Sequence, residues 1–203
     1  MIAVVNYGLG NLTSIGNMFR KLGRDAVITS DPAVIRGAEK LLIPGVGHFA
    51  KGMQNLQESG LQALLNELVL KEQKPVLGIC LGAQLMTMHS EEGEADGLQW
   101  VNIQTRRFDS ARLGGLKVPH MGWSDITLKD QSPLWQNLPP EPRFYHVHSY
   151  HFVTDDSALV SATALYGYEF VTAFRKDNIF GTQFHPEKSH KFGMAVLDNF
   201  SHL

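Results

Sequence analysis

Apolar residues along this chain follow two regimes, and the change between them divides it near the middle. In the first half, short aliphatic runs alternate with amphipathic segments. Ile2 to Asn6 reads as a buried strand, followed by a turn containing Gly8 and Gly10 and a helical pattern from Leu12 to Leu22. Asp25 to Thr29 and Lys40 to Ile43 read as further strands. The second of these runs into Pro44-Gly45-Val46-Gly47, a sharp glycine-bracketed turn. Helical spacing returns over Leu61 to Lys71, Pro75 to Ile79 reads as a buried strand, and Leu81 to His89 as a helix. Repeated βα units predict a parallel sheet covered by helices on both faces.

The second half is strand-rich. Leu98 to Phe108, Asp125 to Leu128, Arg143 to Val153, Ala158 to Ala164 and Phe170 to Phe174 have strand character, with few helical windows between them. Lys176-Asp177-Asn178 separates two apolar runs and predicts a hairpin. His190 to Phe200 places Phe192, Val196 and Phe200 on one helical face. The expected fold is a single α/β domain spanning residues 1–203, with one mixed, largely parallel sheet flanked by helices.

Composition narrows the function. The chain has 203 residues, 43% hydrophobic and 19% charged, enough for a sizeable core. A net charge of −2 without a basic stripe gives no reason to expect nucleic acid or an anionic membrane as partner. The first residues lack the basic flank and apolar run of a signal peptide, and no stretch is long enough to span a bilayer. Cys80 is the only cysteine, so no internal disulfide is possible, and a cytoplasmic location is expected.

That cysteine has an unusual setting. Gly78-Ile79-Cys80-Leu81-Gly82 joins an apolar strand to a helix, and small neighbours let the backbone bend sharply at a nucleophile. At a helix N-terminus, unpaired N–H groups favour thiolate over thiol, and the Leu81 N–H is placed to meet a developing oxyanion. A buried structural cysteine needs no such elbow. A base is on hand in Gln183-Phe184-His185-Pro186-Glu187, where Glu187 is spaced to orient the His185 imidazole and stabilise its cation. His146 and His148 have a His-x-His spacing compatible with metal, but no cysteine or patterned carboxylate completes a site. Gly8-Leu9-Gly10 is half of a dinucleotide fingerprint, with Thr13 where the third glycine belongs. Neither a cofactor nor a metal is expected.

Taken together, the elbow with Gln84, the Pro44 to Gly47 turn and the Thr182 to Glu187 segment resemble the class I, triad-type glutamine amidotransferases. The order Cys, His, Glu and the separation of about 105 residues agree. Asn6 to Leu12, Pro44 to Phe49, Pro119 to Trp123 and His148 to Tyr150 resemble more narrowly the glutaminase subunits of imidazole glycerol phosphate synthases of histidine biosynthesis. Ser124 departs from the asparagine more usual after the tryptophan. The resemblance implies hydrolysis of L-glutamine through a cysteinyl thioester, with Cys80, His185 and Glu187 catalytic and the N–H groups of Leu81 and Gly47 forming an oxyanion hole. It implies Gly45, Gln84, Ser149 and Tyr150 as substrate-binding residues. It also implies a heterodimer with the cyclase subunit of the synthase, which receives the ammonia. Asn11 in the first βα loop, Met121, Trp123 and Lys188 are the expected interface, although large apolar residues in a glycine-containing loop also suit a core. Two rivals stand beside this reading: another class I amidotransferase or γ-glutamyl hydrolase, and a non-catalytic partner-binding module.

Overall fold

The computed structural model describes all 203 residues. Its first half comprises β1 (Ile2–Val5), α1 (Leu12–Lys21), β2 (Ala26–Thr29), α2 (Pro32–Gly37), β3 (Lys40–Ile43), α3 (Phe49–Glu58), α4 (Leu61–Asn66, continued by a π-helical turn over Glu67–Lys71), β4 (Val76–Ile79) and α5 (Leu81–Gln84). Then come β5 (His89–Ser90), β6 (Ala95–Asp96), β7 (Gln104–Arg107), β8 (His120–Leu128), β9 (Arg143–His148), β10 (Tyr150–Val153), β11 (Val160–Tyr166), β12 (Tyr168–Lys176), β13 (Ile179–Thr182) and α6 (His190–Ser201).

The strands form one mixed sheet in the order β2-β1-β3-β4-β13-β12-β10-β7-β5-β6, with β11, β8 and β9 branching from β12. From β2 to β13 all neighbours are parallel, and β12 turns the pairing antiparallel. The inner parallel strands β1, β3, β4 and β13 are buried at every position and apolar at all but Lys40 and Thr182, because both faces are covered. Ala3, Val5, Leu41, Ile43 and Val76 pack beneath α3 and α4. Ile2, Val4, Leu42, Leu77 and Ile79 face the other way, against Ile15 and Phe19 of α1 and Val196, Leu197 and Phe200 of α6. The hairpin forms as expected, with Lys176 opposite Ile179 and Ala173 opposite Thr182.

Several elements differ from the sequence expectation. Helix α5 ends at Gln84 rather than His89. The carbonyls of Leu85, Met86 and Thr87 accept from the N–H groups of Leu98, Trp100 and Gln99, which stops the helical ladder. For the same reason residues 98–103 form no strand, and only Gln104–Arg107 pairs. Residues 120–123 are not loop. They extend the predicted Asp125–Leu128 strand backwards, with His120 opposite His148 and Trp123 opposite Tyr145. Arg143–Val153 is two strands: β9 pairs with β8 and β10 with β7, so the chain changes partner at Ser149.

Candidate active site

The carboxyl ends of β3, β4 and β13 lie at one level, since Ile43 pairs with Gly78 and Ile79 with Thr182. Three chain segments therefore meet there: the Pro44–Gly47 turn, the Cys80 elbow and the Gln183–Glu187 run. Crevices at these ends are where parallel sheets present their chemistry.

At the elbow Cys80 has φ +51° and ψ −111°, a conformation sparsely populated for any residue with a side chain. Its neighbours are glycine for steric reasons. A Cβ on Gly78 would lie 2.5 Å from Ala83 Cα, and one on Gly82 would collide with the Ile43 carbonyl oxygen. Gly45 is equally confined: its Cβ would lie 2.5 Å from Gly82 N and 2.7 Å from Tyr7 Oη. The Cys80 N–H donates to Thr182 O at 2.7 Å, and Tyr7 Oη donates to Pro44 O at 2.6 Å. These bonds tie the elbow to β13 and the turn to β1. Burial, then the nearby Cys80 sulfur, push the Tyr7 phenol well above its ordinary range, so it stays a donor.

His185 is fixed by its backbone as much as by its ring. Its N–H donates to Tyr145 O at 2.9 Å, and Ser189 Oγ donates to His185 O at 2.6 Å. The Pro186–Lys188 segment is a 3-10 turn, which brings Glu187 back onto the ring. His185 Nδ1 donates to Glu187 Oε1 at 2.8 Å, and both side chains are only 1% exposed. With Nδ1 committed, Nε2 is left without a hydrogen bond. Burial opposes charge on this imidazole, but the Cys80 sulfur and then Glu187 outweigh it and raise His185 to about 10.

A cavity of about 610 Å³ opens over these groups. Its walls include Cys80, His185, Leu81, Gly47, Gln84, Ser149, Tyr150, Asn11 and Lys188. Gly45 does not line it, and packs behind the wall against Gly82. Glu187 is likewise behind the wall, as a group acting through His185 would be. The Leu81 N–H heads α5 and has no intrahelical acceptor. Ser149 and Tyr150 reach the cavity because the chain breaks between β9 and β10 there.

Met121 and Trp123 lie outside the cavity, on the solvent side of β8, 63% and 39% exposed. Trp123 stacks on His190 at 5.6 Å with an interplanar angle of 4°, and sits edge-on to Tyr145 at 6.3 Å. Lys188 Nζ lies 5.6 Å from the centre of the same Tyr145 ring. Two ionisable groups and a glutamine were not singled out from the sequence: Tyr7, Glu92 and Gln183. Glu92 lines the cavity while its Oε2 accepts the Phe49 N–H at the start of α3 at 2.8 Å. Of the His-x-His pair, His148 bonds Tyr150 O through Nδ1 at 2.7 Å and leaves Nε2 without a partner, whereas both nitrogens of His146 are taken. His146 Nε2 bonds Thr172 Oγ1 at 2.8 Å and its Nδ1 bonds Phe144 O, while burial pushes it down to about 3.

Residues 3–202 match the glutamine amidotransferase class-I family. Over 200 residues the chain is 49% identical to "Imidazole glycerol phosphate synthase subunit HisH 2" of Methanococcus maripaludis, covering 98% of each. It is 44% identical over 203 residues to the protein of the same name in Pseudomonas aeruginosa, covering 100% of both. Among solved structures, one described as a glutamine amidotransferase superposes with a TM-score of 0.75 at 16% identity, over 100% of this chain and 99% of that one. The glutaminase domain of Trypanosoma brucei CTPS gives 0.66 at 16%, over 99% and 93%. At those identities the structures speak for the fold alone, whereas the full-length sequence matches speak for descent. The chain belongs to the class I glutamine amidotransferases and, within them, to the HisH subunits of imidazole glycerol phosphate synthase.

Proposed function

We propose that this chain is the glutaminase of an imidazole glycerol phosphate synthase, acting as one amidotransferase domain over residues 1–203 and passing ammonia to a cyclase subunit. The observation that carries the reading is the buried His185–Glu187 pair beside the only cysteine, on the wall of one cavity.

In this reading Cys80 Sγ attacks the side-chain amide carbon of L-glutamine, forming a C–S bond and a tetrahedral oxyanion. The Leu81 and Gly47 N–H groups receive that oxygen. His185, held cationic, gives its Nε2 proton to the departing nitrogen, the C–N bond breaks, and ammonia leaves a glutamyl thioester. A water then adds, losing its proton to His185, and the C–S bond breaks to give glutamate. Glu187 keeps Nδ1–H engaged throughout. Glutamine also carries an α-ammonium, and Glu92 is the carboxylate on the cavity wall that suits it. Gln84, Ser149 and Tyr150 supply polar groups for the rest of the substrate. Met121, Trp123 and Lys188, with Asn11 at the mouth, form the surface offered to the cyclase.

The test is ammonia release from glutamine by the wild-type chain and by Cys80→Ala, each alone and with a cyclase subunit. Loss of a covalent nucleophile lowers turnover by about three orders of magnitude or more. The variant should still bind the partner and support its reaction when ammonium salt is supplied. Equal ammonia release from both proteins would overturn the assignment.

A further inference from the structure

Gln183 is fully buried, 0% exposed, and its side chain is aimed at the nucleophile. Nε2 lies 3.6 Å from Cys80 Sγ, within reach of an N–H···S bond, and Oε1 accepts from Gln84 Nε2 at 3.1 Å. Gln84 Nε2 also faces Tyr150 O at 3.4 Å.

The direction of this chain of bonds follows from chemistry alone. A peptide carbonyl can only accept, so Tyr150 O requires the amino end of the Gln84 amide. That amino group must then meet an acceptor on Gln183, which turns the Gln183 amino group toward the sulfur. No other hydrogen-bond partner of Gln183 Nε2 exists, and a buried amide donor without one is strongly disfavoured. The sulfur is therefore the group that satisfies Gln183. In turn an N–H donor at a buried sulfur favours the thiolate and fixes where its lone pairs point.

We propose that Gln183 is a working part of the catalytic centre, donating to Cys80 Sγ and thereby holding the nucleophile in its reactive form and orientation. Gln84 and the Tyr150 carbonyl keep the Gln183 amide turned the right way, so the substrate-side segment at Ser149–Tyr150 and the sulfur are linked by two amides. The proposal rests on Cys80 being the nucleophile of a glutaminase, and deepens that reading.

The experiment compares wild type with Gln183→Met, which has similar length and no donor, and Gln183→Glu, which replaces the amino group by a carboxylate oxygen. The direct readout is the rate of Cys80 alkylation by iodoacetamide at fixed neutral pH; glutamine kinetics are measured alongside. Alkylation should slow about tenfold in Gln183→Met and further in Gln183→Glu, and kcat should fall by at least as much with little change in KM. Wild-type alkylation and kcat in folded Gln183→Met would overturn the proposal. If neither variant folds, the 15N-labelled wild-type chain decides: the Gln183 side-chain amide signals must move in Cys80→Ala, and unmoved signals overturn it. Alkylation does not depend on the substrate, so a wild-type chain that fails to hydrolyse glutamine would sink the functional reading while leaving the Gln183 comparison intact.

Discussion

His185 takes its charge state from two neighbours, Cys80 and Glu187. Burial opposes its charge, yet the imidazole is lifted to about 10 against an ordinary 6.5 by the Cys80 sulfur and the Glu187 carboxylate facing it. A group raised on folding contributes stability that is complete below its unfolded value and is lost as the pH rises through its folded value. Melting temperature should therefore fall between about pH 6.5 and about pH 10 in the wild type, and fall less in His185→Gln. Parallel slopes for the two proteins would show that His185 is not charged in the fold. At this scale the sequence was informative wherever chemistry was local. Cys80 stood between two glycines at a strand end, and Glu187 stood two residues from His185. Glu92 carried no such mark, because it follows a two-residue strand and reaches the cavity only through tertiary structure. Gln183 was visible as part of a motif, but its target is 103 residues away.

Among the elements, the turn that carries the nucleophile works only because β3 and α5 nearly touch. A methyl group on Gly82 would strike the Ile43 carbonyl and drive apart the two segments that hold Leu81 and Gly47. Overpacking of this kind destabilises by about 2 kcal/mol. Gly82→Ala should lower the melting temperature by about 5 °C and reduce glutamine turnover more than Cys80 alkylation. An unchanged melting temperature would mean that β3 yields without strain. The same crowding explains why α3 was not legible. Its core face reads Phe49, Gly52, Leu56, and the glycine occupies a position where an apolar residue would have completed the pattern, because Leu85 lies 3.1 Å from where a Cβ would sit. Helix α2 is too short for a period and starts from Asp31, whose side chain accepts the Ala33 N–H. The inner strands of the parallel half were readable because burial on both faces makes them almost wholly apolar. The Ser149 break was not, since no glycine or proline marks it and strand-forming residues stand on both sides.

On the scale of the whole molecule, the exposed face of β8 borders the cavity mouth. Trp123 there keeps 39% of its surface in water, and the ring it stacks on belongs to His190, itself exposed, so its contacts lie at the surface rather than in the core. Trp123→Ala should weaken binding to a cyclase subunit by about 2 kcal/mol while the free chain melts nearly as before. If affinity holds and the free chain loses stability instead, Trp123 serves the fold and the docking face lies elsewhere.

The place of β13 in the sheet has a consequence in time. It is the last strand to be made, yet it lies in the interior of the sheet, between β4 and β12. During synthesis β4 has only β3 beside it, and its other edge stays open until Ile179–Thr182 emerges. An open apolar edge invites pairing with other chains, so the growing chain stays exposed to aggregation until β13 is made. The same strand delivers Gln183 and His185. A nascent chain thus carries its cysteine through the next 103 residues of synthesis without the groups that make the sulfur reactive, and the event that closes the sheet is also the one that switches on the chemistry.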